Sequence, residues 1–276
     1  MTTTEHDDEA TPNGIPRLGL GTWQNTDPDE CAESVRTALE TGYRHIDTAQ
    51  AYDNEEHVGE GIARSDVDRE DVFLATKIWL SNLSGDDVLS TAEESLDRLG
   101  VDYVDLLYVH WPAREYDPED TLPAFDELRE RGLVRNVGVS NFEPEHLDEA
   151  REILDSPIVA NQVECHPLLP QDELVAYGRD HDVDLVAYSP LARGAVFDVP
   201  EIREVAEKHD ASPAQVSLAW LFQRDGVAAI PKATGGDHIR DNYGALDVEL
   251  DDEDVAKIDG IDERNREVDP DFAPWS

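Results

Sequence analysis

Seven short apolar runs each end in a polar residue: Asp47, Lys77, His110, Ser140 with Asn141, Gln162, Tyr188 and Lys232. Phe73, Leu74, Ala75 and Thr76 lead into Lys77, and Leu106, Leu107, Tyr108 and Val109 lead into His110. An ionisable group at the end of a buried strand must be paired or neutral, so these side chains are expected to form a mutually compensating cluster. Taken singly, Asp47 reads as a helix cap, Lys77 as a snorkelling side chain and His110 as a core histidine. Their shared position at strand ends argues for a site instead. Metal-assisted hydrolysis is another chemistry open to part of this set. His45 and Asp47 are i, i+2 on one strand and therefore on one face, and His110 ends another strand. A further His or carboxylate pair at ligand spacing is missing, so no metal site is expected.

The elements that position these residues follow from periodicity. Strands are expected at Leu18 to Gly21, Arg44 to Thr48, Val72 to Lys77, Val104 to His110, Val134 to Ser140, Ile158 to Val163, Asp184 to Tyr188 and Val227 to Pro231. Amphipathic segments lie between them at about Glu55 to Arg64, Asp86 to Leu99, Leu122 to Arg131, Glu145 to Leu154 and Asp172 to His181, with a last one around Asp254 to Ile261. Two starts carry explicit caps: Asp27, Pro28, Glu30 and Ser212, Pro213, Gln215. Strands separated by helices pair in parallel through crossovers. Eight such units without a compositional break predict an α/β fold, a single-domain (β/α)₈ TIM barrel, with the strand-end residues on its C-terminal face. The open-sheet alternative lacks its glycine fingerprint, because Gln24 stands where the third glycine after Gly19 and Gly21 would be.

Charge narrows the partners. The 276 residues carry 22 Lys plus Arg against 64 Asp plus Glu, a net charge of −42. Such a surface excludes ordinary nucleic-acid or anionic-membrane binding. The bases include only four lysines, and an acidic, lysine-poor chain points to a halophilic organism, where salt screens the carboxylates. Cys31 and Cys165 are far apart and suggest neither a disulfide framework nor a zinc site. Residues 1–10 are expected to be an acidic, disordered tail, with the barrel over 11–276. No signal-peptide pattern or membrane span is read, which implies a cytoplasmic protein.

One long stretch goes further than spacing. Gly42 through Glu55 (GYRHIDTAQAYDNE) resembles the first signature of the aldo-keto reductases. In family order follow Thr76 to Trp79, His110 to Pro112, Val137 to Phe142 (VGVSNF), Tyr188 to Leu191 and Ile230 to Lys232, so the resemblance covers residues 14–262. It implies reduction of aldehydes or ketones by hydride transfer from a nicotinamide cofactor, with a catalytic tetrad of Asp47, Tyr52, Lys77 and His110. Tyr52 would be the general acid, Lys77 held by Asp47 would lower its pKa, and His110 would orient the carbonyl.

The same resemblance assigns Ser140, Asn141 and Gln162 to the carboxamide and Tyr188 to the nicotinamide face. It also assigns Thr22, Trp23 and Asp47 to the ribose side, Ser189 and Leu191 to the pyrophosphate, and Asp241 and Asn242 to the adenine. Lys232 would meet the 2′-phosphate. Where the family commonly has a serine after this lysine and an arginine six residues on, the chain has Ala233 and His238. NADPH is therefore the expected cofactor by a modest margin, with NADH also open.

Trp23, Trp79 and Trp111, with Tyr52 and His110, would wall a site for small carbonyl substrates. The short connection after Trp111 and the early chain end imply an open pocket of broad range. A monomer is the family-based expectation. Two alternatives to the reductase are an NADPH-binding regulatory subunit and the metal-dependent barrel hydrolase considered above.

Overall fold

A computed structural model describes residues 10–275. The expected tail lies, apart from Ala10, outside the described residues. Eight strands, β1 (Gly19–Gly21), β2 (His45–Asp47), β3 (Phe73–Ile78), β4 (Val104–Val109), β5 (Val134–Ser140), β6 (Ile158–Glu164), β7 (Asp184–Tyr188) and β8 (Val227–Ala229), pair in sequence order. Every neighbouring pair is parallel. Parallel bridges from Leu18 to Ala229 and from Gly21 to Lys232 close the sheet into a barrel. β1, β2 and β8 are shorter than expected, although Leu18, Arg44, Thr48 and Ile230 still make bridge or backbone bonds to the neighbouring strands.

Among the described residues ten α-helices surround the strands: α1 (Pro28–Thr41), α2 (Glu55–Arg64), α3 (Gly85–Leu99), α4 (Pro118–Glu130), α5 (Pro144–Ile153), α6 (Asp172–His181), α7 (Pro200–His209), α8 (Pro213–Phe222), α9 (Gly236–Tyr243) and α10 (Asp252–Asp259). The caps behave as written: Asp27 accepts from the Glu30 amide at 3.0 Å, and Ser212 and Gln215 form a reciprocal capping box. α4 begins four residues before its expected start. Pro123 looks like a first-turn proline, yet Asp117 is the cap and Pro118 opens the helix. α7 and α9 add to the expected set. α7 starts without a side-chain cap, although Ile202, Val205 and Ala206 keep helical spacing, and α9 buries only Ile239 and Asn242.

Two apolar layers result. The larger lies between strands and helices, and a smaller one fills the barrel with Ile15, Ala75, Leu106, Tyr108, Ala160, Val186, Ala228 and Ile230. Strand alternation carries five of these interior positions upward by two residues to a polar one that lines the site. Ala75 leads to Lys77, Tyr108 to His110, Ala160 to Gln162, Val186 to Tyr188 and Ile230 to Lys232. The filled interior thus fixes the height and direction of the groups above it. Gly138 has a reason of this kind, since a Cβ there would lie 2.7 Å from the Tyr108 ring. Below, Thr11 and Asn13 bond the Asp184 carboxylate at 2.5 and 3.1 Å and cover the N-terminal ends of the strands. Among the described residues no helix is long and apolar enough to cross a membrane.

Candidate active site

The C-terminal mouth of the barrel opens into a cavity of about 1020 Å³. Every residue expected to contact cofactor or substrate lines it, including Thr22, Trp23, Asp47, Tyr52, Trp79, His110 and Trp111 from the first half of the chain. Ser140, Asn141, Gln162, Tyr188, Ser189, Leu191, Lys232, His238, Asp241 and Asn242 line it from the second half. Lys77 sits just beneath, fully buried, and reaches the cavity through its partners.

Lys77 Nζ donates to the Asp47 carboxylate, to the Thr48 carbonyl at 2.8 Å and toward Tyr52 Oη at 3.4 Å. Asp47 accepts from Lys77 at Oδ1 and from Gln162 Nε2 at Oδ2, 2.8 Å away. Both its oxygens therefore have partners inside the barrel. This use of Asp47 leaves the hydrolase alternative without its carboxylate ligand, and His45 lies deeper, edge-on to Phe73 at 5.2 Å. Tyr52 enters on a short 3₁₀ turn, Gln50–Tyr52, which follows β2 directly and returns the phenol over Lys77. The turn is fixed by Gln50, whose Nε2 donates to the Thr91 carbonyl at 3.1 Å and whose Oε1 accepts from the Trp79 amide at 2.9 Å.

The His110 ring meets Tyr52 edge-on at 5.9 Å and Trp79 at 5.0 Å. These three rings and the Lys77 ammonium enclose one spot on the cavity floor. Burial, then the nearby ammonium, holds His110 well below the usual histidine range, so its imidazole is neutral. Burial likewise pulls Lys77 down while Asp47 pulls it back up.

Tyr52 keeps some surface open to the cavity, but protein surrounds its hydroxyl. Burial and the Asp47 charge hold the phenol well above its ordinary value. The Lys77 ammonium still favours the phenolate, so burial and not the lysine sets this direction. The ammonium is in direct contact with Asp47 and lies farther from Tyr52, so its charge does not offset the desolvation of a phenolate.

A hydrogen-bonded chain runs along the adjacent wall. Tyr188 Oη donates to Asn141 Oδ1 at 2.9 Å, and Asn141 Nδ2 donates to Ser140 Oγ and the His110 carbonyl, both at 3.0 Å. Ser140 Oγ donates to the Gln162 carbonyl at 2.8 Å. Asn141 takes a left-handed φ of 63°, which asparagine tolerates better than most residues and which turns its amide back toward the strand ends. Thr22 is fully buried and donates to the Asp47 carbonyl at 3.0 Å.

Farther out, the Arg193 guanidinium lies 4.9 Å over the ring of Trp23, on the loop after β7. That loop is strained: Ser189, Ala192 and Arg193 all have positive φ. Of the four lysines, Lys77, Lys208 and Lys257 are in ion pairs, whereas among the described residues Lys232 makes none and lines the cavity. An unpaired cation in so acidic a chain suits an anionic group such as a ligand phosphate. Ala233 is buried beside it, and His238 faces the same end of the cavity.

Two parts of the wall were not found from the sequence. The loop after β7 contributes Arg193, Gly194 and Phe197; its signal is its place on the C-terminal face. The C-terminal segment contributes Glu267, Val268, Asp269, Pro270 and Phe272, and it carries no periodicity that would reveal it. Phe272 and Trp275 both pack on Trp111, with centroids 5.3 and 5.6 Å away. Against the expected open pocket, the C-terminal segment as far as Trp275 folds back as one wall of the cavity.

Comparison with known proteins places the whole barrel in one family. The family model described as the aldo/keto reductase family matches residues 17–263. The glyoxal reductase of Bacillus subtilis is 41% identical over 92% of each chain. The methylglyoxal reductase DkgB of Escherichia coli O157:H7 is 40% identical, covering 93% of this chain and 96% of its own. The solved structure of a Bombyx mori aldo-keto reductase in complex with NADP superposes with a TM-score of 0.87, at 34% identity and 94% coverage of both chains. With the family model spanning all eight strands, this chain belongs to the aldo/keto reductase family.

Proposed function

We propose that this protein reduces small aldehydes and ketones, glyoxal and methylglyoxal among them, to alcohols with NADPH as the hydride source. The reading rests on one observation: Tyr52, Lys77, Asp47 and His110 converge on a single spot of the cavity floor. The donor set fits the cofactor. The amides of Asn141 and Gln162 and the Ser140 hydroxyl suit its carboxamide, the Tyr188 ring suits a stacked nicotinamide, and Lys232 suits a phosphate. When bound, the cofactor supplies the hydride to the carbonyl carbon.

The protein's own part is the oxygen end of that reaction. His110, neutral and held by Trp79 and Tyr52, orients the carbonyl oxygen and stabilises charge gathering there. Tyr52 Oη, protonated in the resting site, donates its proton to that oxygen. The phenolate left behind lies 3.4 Å from Lys77, whose ammonium then stabilises it, with Asp47 fixing the lysine in place.

Three further readings belong to this proposal. The carboxylate-rich surface suits a salt-rich cytoplasm, the active unit is a monomer, and the barrel domain runs from residue 11 to the chain end.

The test is steady-state loss of NADPH absorbance with a panel of aldehydes and ketones from low to molar KCl. Turnover with at least the small aldehydes is expected, and it should survive exhaustive chelation. NADPH binding without turnover would overturn the reading in favour of a cofactor-sensing role.

A further inference from the structure

Glu164 ends β6 two residues beyond Gln162 and is fully buried. It takes part in none of the chemistry described above. Its carboxylate receives three donors: Nε2 of the equally buried His166 at 2.9 Å, and the backbone amides of Glu267 at 2.6 Å and Val268 at 2.8 Å. A carboxylate only accepts, so it satisfies all three at once. The two amides belong to the C-terminal segment, more than 100 residues away in sequence and continuous with the cavity wall. The Asn265 amide adds a bond to the Leu168 carbonyl at 3.0 Å, docking the same segment on the loop after β6. Beyond this point the chain turns so that Phe272 and Trp275 reach Trp111.

We propose that Glu164 is a positioning residue: it pins residues 265–268 to the rim of the barrel and so sets the substrate-side wall that discriminates large from small carbonyl compounds. His166 orients the carboxylate from behind, leaving its remaining lone pairs aimed at the two amides. Without the pin, the segment keeps the Asn265 bond to Leu168 and the ring contacts of Phe272 and Trp275 on Trp111, and the wall is held less firmly. A substrate with an aromatic body needs that wall, whereas one no larger than methylglyoxal occupies only the floor between Tyr52 and His110. The size discrimination rests on the reductase reading; the pinning of the segment does not.

The test pairs Glu164→Gln with Val268→Pro. The first puts an amide group where a carboxylate is required, and the second removes one donor while leaving Glu164 intact. Hydrogen exchange of residues 265–275, read by mass spectrometry on the full-length protein, should rise at least about tenfold in both variants, as loss of a charge-assisted bond predicts. With NADPH, Glu164→Gln should raise the KM for 4-nitrobenzaldehyde about tenfold, while kcat and the values for methylglyoxal move less than about threefold and NADPH affinity is unchanged.

Unaltered exchange in the segment would overturn the proposal, as would equal losses for both aldehydes. If Glu164→Gln does not fold, Val268→Pro still carries the hydrogen-exchange readout. A wild-type protein that turns over neither aldehyde defeats the reductase reading, and segment exchange still decides whether Glu164 is the pin.

Discussion

Lys77 Nζ stands between Asp47, which it touches directly, and Tyr52 Oη, 3.4 Å away. In the resting site the ammonium is matched to the carboxylate, and the phenol keeps its proton. Once that proton leaves, a second anion lies within reach of the same cation. The arrangement suits a donor that is stable before reaction and stabilised after it.

Tyr52→Phe should therefore remove the proton donor and little else. Carbonyl reduction should fall at least about 10²-fold, with NADPH affinity nearly intact, as expected for loss of a general acid. Steady-state kinetics and a fluorescence titration check both halves. Near-normal turnover would remove Tyr52 from the role.

His238→Arg should restore a fork beside Lys232. NADPH binding should tighten by about tenfold or more, in line with the roughly 1.5 to 3 kcal/mol of a charge-assisted hydrogen bond, while NADH is little changed. Isothermal titration with each cofactor separates the outcomes. An equal effect on both would show that His238 does not face the 2′-phosphate.

Acid should weaken the fold through its buried histidines. Burial lowers His45 to about 4 in the folded protein, against about 6.5 in an unfolded chain. Between those values the unfolded chain binds a proton that the folded one does not. Stability is thus retained above about pH 6.5 and falls as the pH drops toward 4, by about 1.4 kcal/mol per pH unit for this one residue. His110, also lowered, acts in the same direction. Urea unfolding of wild type and His45→Phe at pH 7 and pH 5 tests this. The variant should lose less stability on acidification, and identical losses would contradict the assignment.

The surface charge should make stability salt-dependent. With −42 net charges, carboxylates outnumber the bases available to pair with them. At 0.1 M salt the screening length is about 10 Å and at 1 M about 3 Å, so repulsion between neighbours largely disappears over that range. Circular dichroism melting and turnover from 0.1 to 3 M KCl should both rise with salt, on scales set by the screening length. A flat response would sink the halophilic reading and leave the reductase assignment untouched.

Much of this was readable in the sequence because strand alternation is a local rule. Val186 then Tyr188, or Ala75 then Lys77, states both the element and the direction of its last side chain. The cap at Asp27 did the same for α1. What escaped depends on contacts distant in sequence. Glu164 lies two residues past Gln162 on the same strand, but its role depends on backbone amides of Glu267 and Val268, which carry no residue-type signature. The elevated phenol at Tyr52 was also out of reach, because it depends on how completely the folded protein excludes water from that hydroxyl.

The Gly21 to Lys232 bridge has a thermodynamic consequence. It joins the first strand to the chain just after the last one, so it is the suture at which a linear polypeptide becomes a ring. Thr22 and Trp23 flank it on one side and Lys232 on the other, all facing the cavity. On the proposed placement of the cofactor, a dinucleotide gripped from both sides would be a stitch across that suture. Opening the ring and releasing the ligand would then be one coupled equilibrium, with the closed ring favoured as cofactor concentration rises.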